Sequence, residues 1–410
     1  MRDGWVATPL SEVVEHTIGG VWGGESDTDE VEVTVVRSTE FTKRGFLNFE
    51  TGVPRSIKSS QLKSRELLPG DILLEKSGGG PDQPVGRVVF VAEAIPKKFV
   101  CSNFVQLVRP NSKQIEPLFL FHIMWQWHAL NRTLEFQAQT TGIRNLRTPD
   151  YLEQEINLPP LPEQKRIVDL ISSVDSYIEA LQQQLKSGKR SRNAVLHELL
   201  TAGGDNWIET TLGEVAHLNS EQARDYESDR LIKYIDLSTV TFDTGISTEI
   251  EQLPFNEAPG RARRIIREKD VIVSTVRPYL KGFAFVGREF DGQIASTGFC
   301  VIRAKSESIL SELIWALVGS DDFVDFLIRR STGSNYPAVR PNDISDFTFM
   351  LPPLHDQETV SKLITTFDDA IRASTVLIDS AQNLRSGLLS DLLSGEHEIP
   401  ASYDKVIGAA

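Results

Sequence analysis

Two stretches of the chain repeat one pattern, LPPLPEQKRIVDLISSVDSYIEAL at residues 158–181 and LPPLHDQETVSKLITTFDDAIRAS at residues 351–374. In each stretch the prolines impose an extended backbone and then suit the first turn of a helix. Glu163 in the first copy, and Asp356 with Glu358 in the second, follow where the helix dipole favours an anion. The repeat therefore predicts two long helices that begin in the same way.

Apolar residues recur along both predicted helices at steps of three and four, which is the heptad spacing of a seam for another helix. The first seam contains Ile167, Leu170, Val174, Ile178, Leu181 and Leu185, and the second contains Val360, Ile364, Phe367, Ile371, Ser374, Ile378, Ala381 and Leu384. We predict that the seams pair antiparallel, the alternative being two ordinary core helices. At about 1.5 Å per residue, such a pair would form a spacer roughly 55–60 Å long.

The repeat extends beyond the helices into both halves of the chain. DGWVATPLSEVV (3–14) matches DNWIETTLGEVA (205–216), and LLPGDILLEKSGGG (67–80) resembles IREKDVIVSTVRPY (266–279) in pattern. An aspartate followed by four mostly β-branched or leucine residues is typical of a buried strand that ends in a loop. Further strands are predicted at 100–110 and 294–304, and helices at 117–136 and 309–330. Each half is thus expected to be a globular domain followed by a long helix.

These patterns predict an α+β fold, with two globular mixed α/β domains separated by two long antiparallel coiled-coil helices in a pseudo-two-fold internal repeat. The predicted boundaries are residues 1–157 for the first domain, 158–203 for the central helix, 204–350 for the second domain, 351–396 for the distal helix and 397–410 for the tail.

Composition and net charge limit the classes of protein to which this chain can belong. The net charge of −14 over 410 residues argues against a general nucleic-acid binder, so any DNA contact must come from local clusters. Two cysteines, Cys101 and Cys300, give no disulfide framework, and the N-terminus lacks the apolar core of a signal peptide. No apolar run is long enough to span a membrane. A cytoplasmic location with no membrane partner is expected.

The sequence lacks the common catalytic, phosphate-binding and metal-binding motifs. The glycine-rich EKSGGGPDQPVGR (75–87) lacks the Lys-Ser/Thr of a phosphate-binding loop, and a hairpin loop is the simpler interpretation. No G-x-S-x-G elbow occurs. His122 and His128 do not have the spacing of metal ligands on a helix. We therefore expect no catalytic residue and no metal site in this chain.

The ordered set of features resembles the specificity (S) subunit of type I restriction–modification systems. The similar features are the Leu-Pro-Pro-Leu-x-x-Gln helix starts, the Trp…Leu-x-Glu-Val openings, the Thr-Gly pairs at 141–142 and 332–333, and YPAVRPNDISDFTFMLPPL at 336–354. The resemblance covers residues 3–396. His355 departs from the pattern, since the first copy has Pro162 there.

This resemblance implies a function in DNA methylation and phage defence. Each globular domain would be a target-recognition domain for one half of a split double-stranded DNA sequence. The helices would set the gap and dock two methyltransferase (M) subunits, which bring S-adenosylmethionine and methylate adenine. A restriction (R) subunit with ATP and Mg would complete the nuclease, and this chain itself would hold no cofactor. The competing hypotheses are a coiled-coil adaptor that reads no bases and a stand-alone methyltransferase or nuclease with a degenerate site.

Polar and basic residues in loops after the strands are the candidates for DNA contact, because arginine suits guanine, asparagine suits adenine and lysine suits phosphate. They are Lys76, Ser77, Arg87, Arg144, Asn145 and Arg147 in the first domain, and Arg261, Arg263, Arg264, Arg277, Tyr279, Lys281, Asn335, Tyr336 and Arg340 in the second. RARRIIREK (261–269) is the densest basic cluster, for which a solvated strand or loop face is the alternative.

Overall fold

The computed structural model describes residues 4–25, 31–79, 83–92, 98–140, 143–202, 204–223 and 227–405. Asp3 of the opening motif and the pair Thr141–Gly142 lie outside the described residues. The chain divides into two compact units. Unit 1 contains residues 1–179 and 379–410, and unit 2 contains residues 180–378. The domain boundaries given above stay a prediction.

Unit 1 combines small sheets with short helices. Its strands are β1 Val6–Pro9, β2 Val14–Gly19, β3 Val31–Val36, β4 Val53–Ile57, β5 Ile72–Glu75, β6 Ser77–Gly78, β7 Val88–Phe90, β8 Phe99–Cys101, β9 Val105–Pro110, β10 Gln137–Thr140, β11 Ile143–Leu146 and β12 Glu155–Leu158. Its helices are α1 Leu10–Val13, α2 Ser59–Arg65, α3 Pro117–Ala129 and α4 Thr148–Leu152, followed by the start of the long helix α5 Leu161–Ala202. The sheet orders are β2-β9-β5-β7, β4-β3-β8, β10-β11-β6 and β1-β12.

Unit 2 repeats this plan. Its strands are β13 Ile208–Thr211, β14 Ala216–Leu218, β15 Leu231–Ile235, β16 Val240–Thr241, β17 Gly245–Ile246, β18 Gln252–Pro254, β19 Ala262–Ile265, β20 Val271–Ser274, β21 Phe283–Phe285, β22 Ile294–Ser296, β23 Phe299–Ala304 and β24 Thr348–Leu351. Its helices are α6 Leu212–Val215, α7 Ser311–Val318, α8 Asp321–Arg330 and α9 Pro341–Ser345, followed by the start of the long helix α10 Leu354–Ser394. The sheet orders are β14-β23-β20-β21, β18-β15-β22-β19, β13-β24 and β16-β17.

The two opening motifs form strands that lead into the helix starts. In unit 1, β1 pairs antiparallel with β12, which ends at Leu158 of the first Leu-Pro-Pro-Leu. In unit 2, β13 pairs with β24 in the same way, and β24 ends at Leu351. The indole Nε1 of Trp5 also donates to Glu163 at 3.2 Å, which ties the opening motif directly to the first turn of α5.

A buried glutamine fixes the start of α5. The side-chain oxygen of Gln164 accepts from the backbone N–H of Glu116 at 2.7 Å. Its amide nitrogen donates to the carbonyls of Pro159 at 2.8 Å and Gln114 at 3.3 Å. Because Gln164 is fully buried, this amide satisfies backbone groups that water does not reach. The contacts join the start of α5 to the start of α3.

The second repeat uses its glutamine identically. Gln357 is fully buried, accepts from the N–H of Leu310 at 2.8 Å, and donates to the carbonyls of Ser308 at 2.9 Å and Pro352 at 3.0 Å. The start of α10 is thereby joined to the start of α7. The glutamine of the repeated motif is therefore a structural residue that orients each long helix on its own unit.

The equivalence of the predicted strands is confirmed. Asp71, just before β5, forms a two-pronged ion pair with Arg109 of β9 at 2.7 and 2.8 Å. Asp270, just before β20, forms the same pair with Arg303 of β23, with both distances at 2.8 Å.

Both predicted helices are wrong in one respect. The helix predicted at 117–136 ends at Ala129 and is followed by a 3₁₀ turn, Arg132–Phe136. The helix predicted at 309–330 divides into α7 and α8. Ser320 makes that break because its hydroxyl caps the N–H of Phe323.

The long helices run antiparallel within each unit, as predicted. In unit 1, Ile167 and Ile171 of α5 share a core with Leu389 and Leu392 of α10. In unit 2, Leu196 and Leu200 of α5 share a core with Val360 and Ile364 of α10. The ends of the long helices thus also pack into the cores of their units. The sequence analysis had treated a helix–helix seam and ordinary core helices as alternatives, and these helix ends combine the two. The predicted seam position Leu384 is wrong, because its side chain is 57% exposed.

Candidate nucleic-acid interface

In unit 1 the structure brings four of the predicted residues together. Strand β6 pairs with β11 so that Ser77 lies opposite Asn145 and Gly78 lies opposite Arg144. The Ser77 hydroxyl is 2.6 Å from the side-chain oxygen of Asn145. The carbonyl of Lys76 accepts from the N–H of Leu146, so Lys76 lies at the same sheet edge. This edge combines a lysine, an arginine, an amide and a hydroxyl, all of them half-buried.

Arg87 and Arg147 have internal partners. The Arg87 guanidinium donates twice to the buried carboxylate of Glu75, each time at 2.8 Å, and these bonds raise the pKa of Arg87. That geometry favours a structural role for Arg87. Arg147 is exposed, donates to the carbonyl of Glu135 and pairs with Asp150 at 3.2 Å. Exposed pairs of this kind contribute little to stability, so Arg147 is available to a ligand at small cost.

In unit 2 the loop after β20 meets the loop after α8. The backbone N–H of Arg277 donates to the carbonyl of Pro337 at 2.7 Å, and its guanidinium donates to the carbonyl of Asn335 at 3.2 Å. The guanidinium also lies over the Tyr336 ring, 4.5 Å from its centroid. Tyr336 is 69% exposed. Arg277, Asn335 and Tyr336 therefore form one group at the surface.

The backbone around this group is strained. Arg277 and Lys281 have φ values of +48° and +47°, the left-handed region that non-glycine residues rarely adopt. They flank a short 3₁₀ turn, Pro278–Leu280, which presents Tyr279 at 49% exposure. Lys281 pairs with Asp321 at 3.1 Å. Strain of this kind clusters at functional loops because the surrounding structure must enforce it.

The basic cluster at 261–269 contains arginines without an acidic partner in the described structure and other basic residues held in ion pairs at the surface. Arg261 and Arg263 are exposed and Arg264 is half-buried, with a register shift in β19 between Ala262 and Arg264. Arg267 instead binds Glu221 at 2.7 Å, which lowers the pKa of that carboxyl group.

Backbone hydrogen bonds connect this cluster to the Arg277 group. Thr297 donates to the carbonyl of Arg261 at 2.9 Å, and the neighbouring carbonyl of Gly298 accepts from the N–H of Thr275 at 2.8 Å. Arg261 and Arg277 are therefore near one edge of unit 2. Arg340 stands apart as the residue before α9, and its backbone N–H donates to Asp343.

Sequence reasoning missed the charged pairs between the long helices. In unit 1, Arg385 binds Asp175 through two donors, and the Nη2–Oδ2 distance is 3.0 Å. In unit 2, Arg192 binds Asp368, with Nε 2.5 Å from Oδ1. Both the arginines and the aspartates recur at the 193-residue offset that separates Leu158 from Leu351. Identical charged residues at that offset were the signal that could have found them.

Within the part of the chain that the structure describes, no cluster of three metal-binding side chains occurs. Among the same residues, no helix combines the length and the apolar character needed to cross a bilayer. The structure thus offers surface loops with polar side chains, and these loops differ between two units built on one scaffold. Such an arrangement is typical of a duplicated protein with two similar domains.

Comparison with known proteins identifies the family. The sequence profile of the type I restriction modification DNA specificity domain matches residues 3–187 and again residues 204–380. The chain therefore belongs to this family and is a type I restriction–modification specificity subunit with two DNA specificity domains. Among curated relatives, the type I restriction enzyme MjaVIII specificity subunit of Methanocaldococcus jannaschii is 21% identical, covering 88% of this chain and 85% of the relative.

Solved structures share the fold. A chain from a structure of a type I R-M system, described for its complex assembly and conformational transition, has a TM-score of 0.59 at 18% identity. The alignment covers 96% of the present chain and 98% of that chain. The type I restriction-modification S subunit from M. genitalium has a TM-score of 0.56 at 15% identity and covers 95% and 96% of the two chains. These likenesses support the α+β fold with its internal repeat.

Proposed function

We propose that each unit of this specificity subunit reads one half of a bipartite, asymmetric DNA target. The observation that carries the proposal is the difference between equivalent loops. Unit 1 presents Lys76 and Ser77 after β5 beside Arg144 and Asn145 of β11. Unit 2 presents Arg277 and Tyr279 after β20 beside Asn335 and Tyr336 after α8. Different donor and acceptor groups select different base pairs in the major groove, so the two halves of the target are unequal.

The two long helices set the gap between the half-sites. Each helix contributes residues to the cores of both units, and a charged pair joins α5 to α10 in each unit. One helical turn advances about 5.4 Å, and a base pair advances about 3.4 Å. Inserting one turn into both helices is therefore expected to lengthen the gap by one or two base pairs.

In this proposal, partner subunits carry out the methylation and cleavage reactions. Two adenine methyltransferase subunits dock on the helices and bring S-adenosylmethionine, and a restriction subunit brings ATP and Mg. The chain itself has no catalytic role and holds no cofactor. Its charge of −14 supports a need for partners, since phosphate contacts require basic groups that this chain has only in local clusters. The chain alone is expected to bind DNA weakly.

Domain exchange tests the proposal. Residues 204–350 are replaced by the corresponding segment of a relative with a different target, and methylated adenines are mapped by long-read sequencing. One half of the methylated sequence changes and the other half stays. An unchanged sequence would contradict the proposal and favour the coiled-coil adaptor, for which base identity has no effect once the partners are assembled.

A further inference from the structure

A cavity of about 320 Å³ lies in unit 2 between the turn joining β16 to β17, helix α7 and helix α10. Its wall is aromatic, since Phe242 stacks on Trp315 with ring centroids 4.8 Å apart and Phe285 lies 6.5 Å from Trp315. Ser361 also lines the cavity, is only 7% exposed, and has no hydrogen-bond partner for its hydroxyl among the described residues. A buried hydroxyl without a partner costs free energy unless a ligand or a water molecule satisfies it.

The equivalent place in unit 1 carries larger side chains. The 193-residue offset of the helices matches Ser361 with Val168. The backbone N–H groups of Glu116 and Leu310 make the same contact with the two buried glutamines, so these two residues are equivalent. Six residues further on, Ala316 of the cavity wall therefore corresponds to His122. Val168 and His122 are both buried. A serine and an alanine thus leave space in unit 2 where unit 1 has an isopropyl group and an imidazole.

The turn above the cavity differs in charge between the units. In unit 1, Arg44 of the corresponding turn pairs with Glu179 of α5 at 2.9 Å. The Phe41–Leu47 bridge of unit 1 corresponds to the Val240–Ile246 pair of unit 2, which makes Asp243 the equivalent of Arg44. The 193-residue offset makes Arg372 the equivalent of Glu179, so both charges are reversed. Asp243 and Arg372 both line the cavity, and no ion pair joins these two described residues. Unit 2 therefore lacks the turn-to-helix ion pair that unit 1 makes at this point.

The charged side chains of the cavity leave one carboxylate available to a cation. Asp243, Glu312 and Asp368 line the cavity together with Arg372, whose guanidinium pairs with Asp369 at 3.4 Å. Asp368 is bound by Arg192, and Glu312 is paired with Lys269 at 3.4 Å. The carboxylate of Asp243 is exposed and makes no ion pair within the described part of the chain. An aromatic wall beside an available carboxylate fits a group that is both flat and positively charged.

We propose that this cavity binds an arginine side chain presented by a methyltransferase subunit. The inference rests on the proposed function, and it identifies a recognition element for one of the two docked subunits. A guanidinium is planar, stacks on aromatic rings and donates in a fork that matches a carboxylate. Its stem would lie along Phe242 and Trp315, and its donors would reach Asp243 and the hydroxyl of Ser361. Because unit 1 has a valine, a histidine and an arginine at the positions of Ser361, Ala316 and Asp243, the two methyltransferase copies dock unequally.

A direct binding test uses the full chain labelled with 5-fluorotryptophan. Trp315 is one of six tryptophans, and its fluorine resonance is assigned by its loss in Trp315→Phe. Titration with N-acetyl-arginine-N-methylamide is expected to shift this resonance saturably. The neutral isostere N-acetyl-citrulline-N-methylamide is expected to bind at least tenfold more weakly. Absence of a saturable shift, or equal binding of the two amides, overturns the proposal.

Two variants give independent controls. Ala316→His with Ser361→Val gives the cavity the side chains of unit 1, and it is expected to abolish the shift. Asp243→Lys changes only an exposed turn residue, which removes the folding concern, and it is expected to reduce arginine binding at least tenfold. Glu251→Gln, an exposed acid elsewhere in unit 2, should leave binding unchanged. Wild-type binding by Asp243→Lys or by the filled variant counts against the site.

The assembled complex separates this inference from the proposed function. Asp243→Lys is expected to weaken the affinity of one methyltransferase subunit at least tenfold, measured by mass photometry, while the methylated sequence stays the same. Unchanged affinity of both subunits would refute the inference and leave the proposed function intact. If the wild-type complex methylates without sequence preference, the proposed function fails, whereas the outcome of the amide titration still decides whether the cavity binds arginine.

Discussion

Arg192 of α5 binds Asp368 of α10 with its Nε 2.5 Å from Oδ1, and its side chain is only 5% exposed. The same two residue types recur with the helices exchanged, since Arg385 belongs to α10 and Asp175 to α5. Each copy of the repeated helix therefore contributes the arginine of one pair and the aspartate of the other. If α5 and α10 were shifted against each other, a buried charge would lose its partner, which is strongly unfavourable. The pairs thus specify the antiparallel register of the helices.

Breaking the Arg192–Asp368 pair should destabilise unit 2. Arg192→Leu is expected to lower the free energy of unfolding by about 3 kcal/mol, because it leaves the Asp368 carboxylate partly buried without a partner. The exchanged double variant Arg192→Asp with Asp368→Arg should recover part of this loss. Hydrogen exchange of the amides of α10 provides the measurement.

A solvent-exposed pair on the same helix is the control for this cycle. Lys362 and Glu358 are 3.5 Å apart and 79% and 68% exposed. Lys362→Ala is expected to cost less than about 1 kcal/mol. Equal costs for Lys362→Ala and Arg192→Leu would show that the buried pair does not hold the register.

The buried glutamines give a second prediction. Gln164→Glu keeps the acceptor for Glu116 but removes the donors to Pro159 and Gln114, and it buries a charge. We expect a loss of at least about 3 kcal/mol in unit 1, seen as faster hydrogen exchange at the start of α5. Gln183→Glu, at an exposed position of the same helix, is the matched control and should have little effect. Similar exchange in both variants would contradict the role of Gln164.

The sequence predicted the architecture because its signals are periodic. Heptad spacing, prolines and the doubled strand pattern identified two helices and two similar α+β halves, and the structure confirms both. Residue contacts across long separations could not be predicted in this way. Gln164, for example, bonds to a loop about fifty residues earlier in the chain, and no local pattern identifies that partner. Its recurrence in both copies of the motif indicated importance without indicating the contact.

The candidate interface stays a prediction, for which the sequence supplied only residue types and chain positions. Basic and polar residues in loops after strands were identified from type and position alone. The sequence could not show that Arg87 is held by Glu75, or that Arg277 and Tyr336 meet across two loops, because both facts depend on the tertiary packing. The cavity beside Trp315 depends on the small volumes of Ala316 and Ser361, which become meaningful only when the units are compared.

His122 should make unit 1 sensitive to acid. Burial lowers its pKa from 6.5 to about 4, so between these values the unfolded chain binds a proton that the folded chain does not. The free energy of unfolding therefore falls as the pH drops below about 6.5, by up to roughly 3 kcal/mol near pH 4, and then levels off. Hydrogen exchange of α3 at pH 7 and pH 4.5 measures this loss.

Two histidine variants test the origin of that acid sensitivity. His122→Leu should remove it without losing a hydrogen bond, because the Nδ1 atom of His122 has no partner among the described residues. His197→Gln should instead lower the stability at low pH. Asp322 raises the pKa of His197, so the contribution of this pair to stability is present at low pH and lost as the pH rises. Unchanged acid sensitivity in His122→Leu would assign the effect to other groups.

Base recognition should respond to unit-specific substitutions in a unit-specific way. Arg277→Ala is expected to relax the preference for one base pair in one half of the methylated sequence, at a cost of about 1–3 kcal/mol in discrimination. Arg144→Ala should do the same in the other half. Arg87→Ala is the matched control, because loss of its bonds to Glu75 should destabilise unit 1 and leave the preferred bases unchanged. Methylation mapping with each variant complex measures all three, and an Arg277→Ala complex that alters both halves would contradict the assignment of one half-site to each unit.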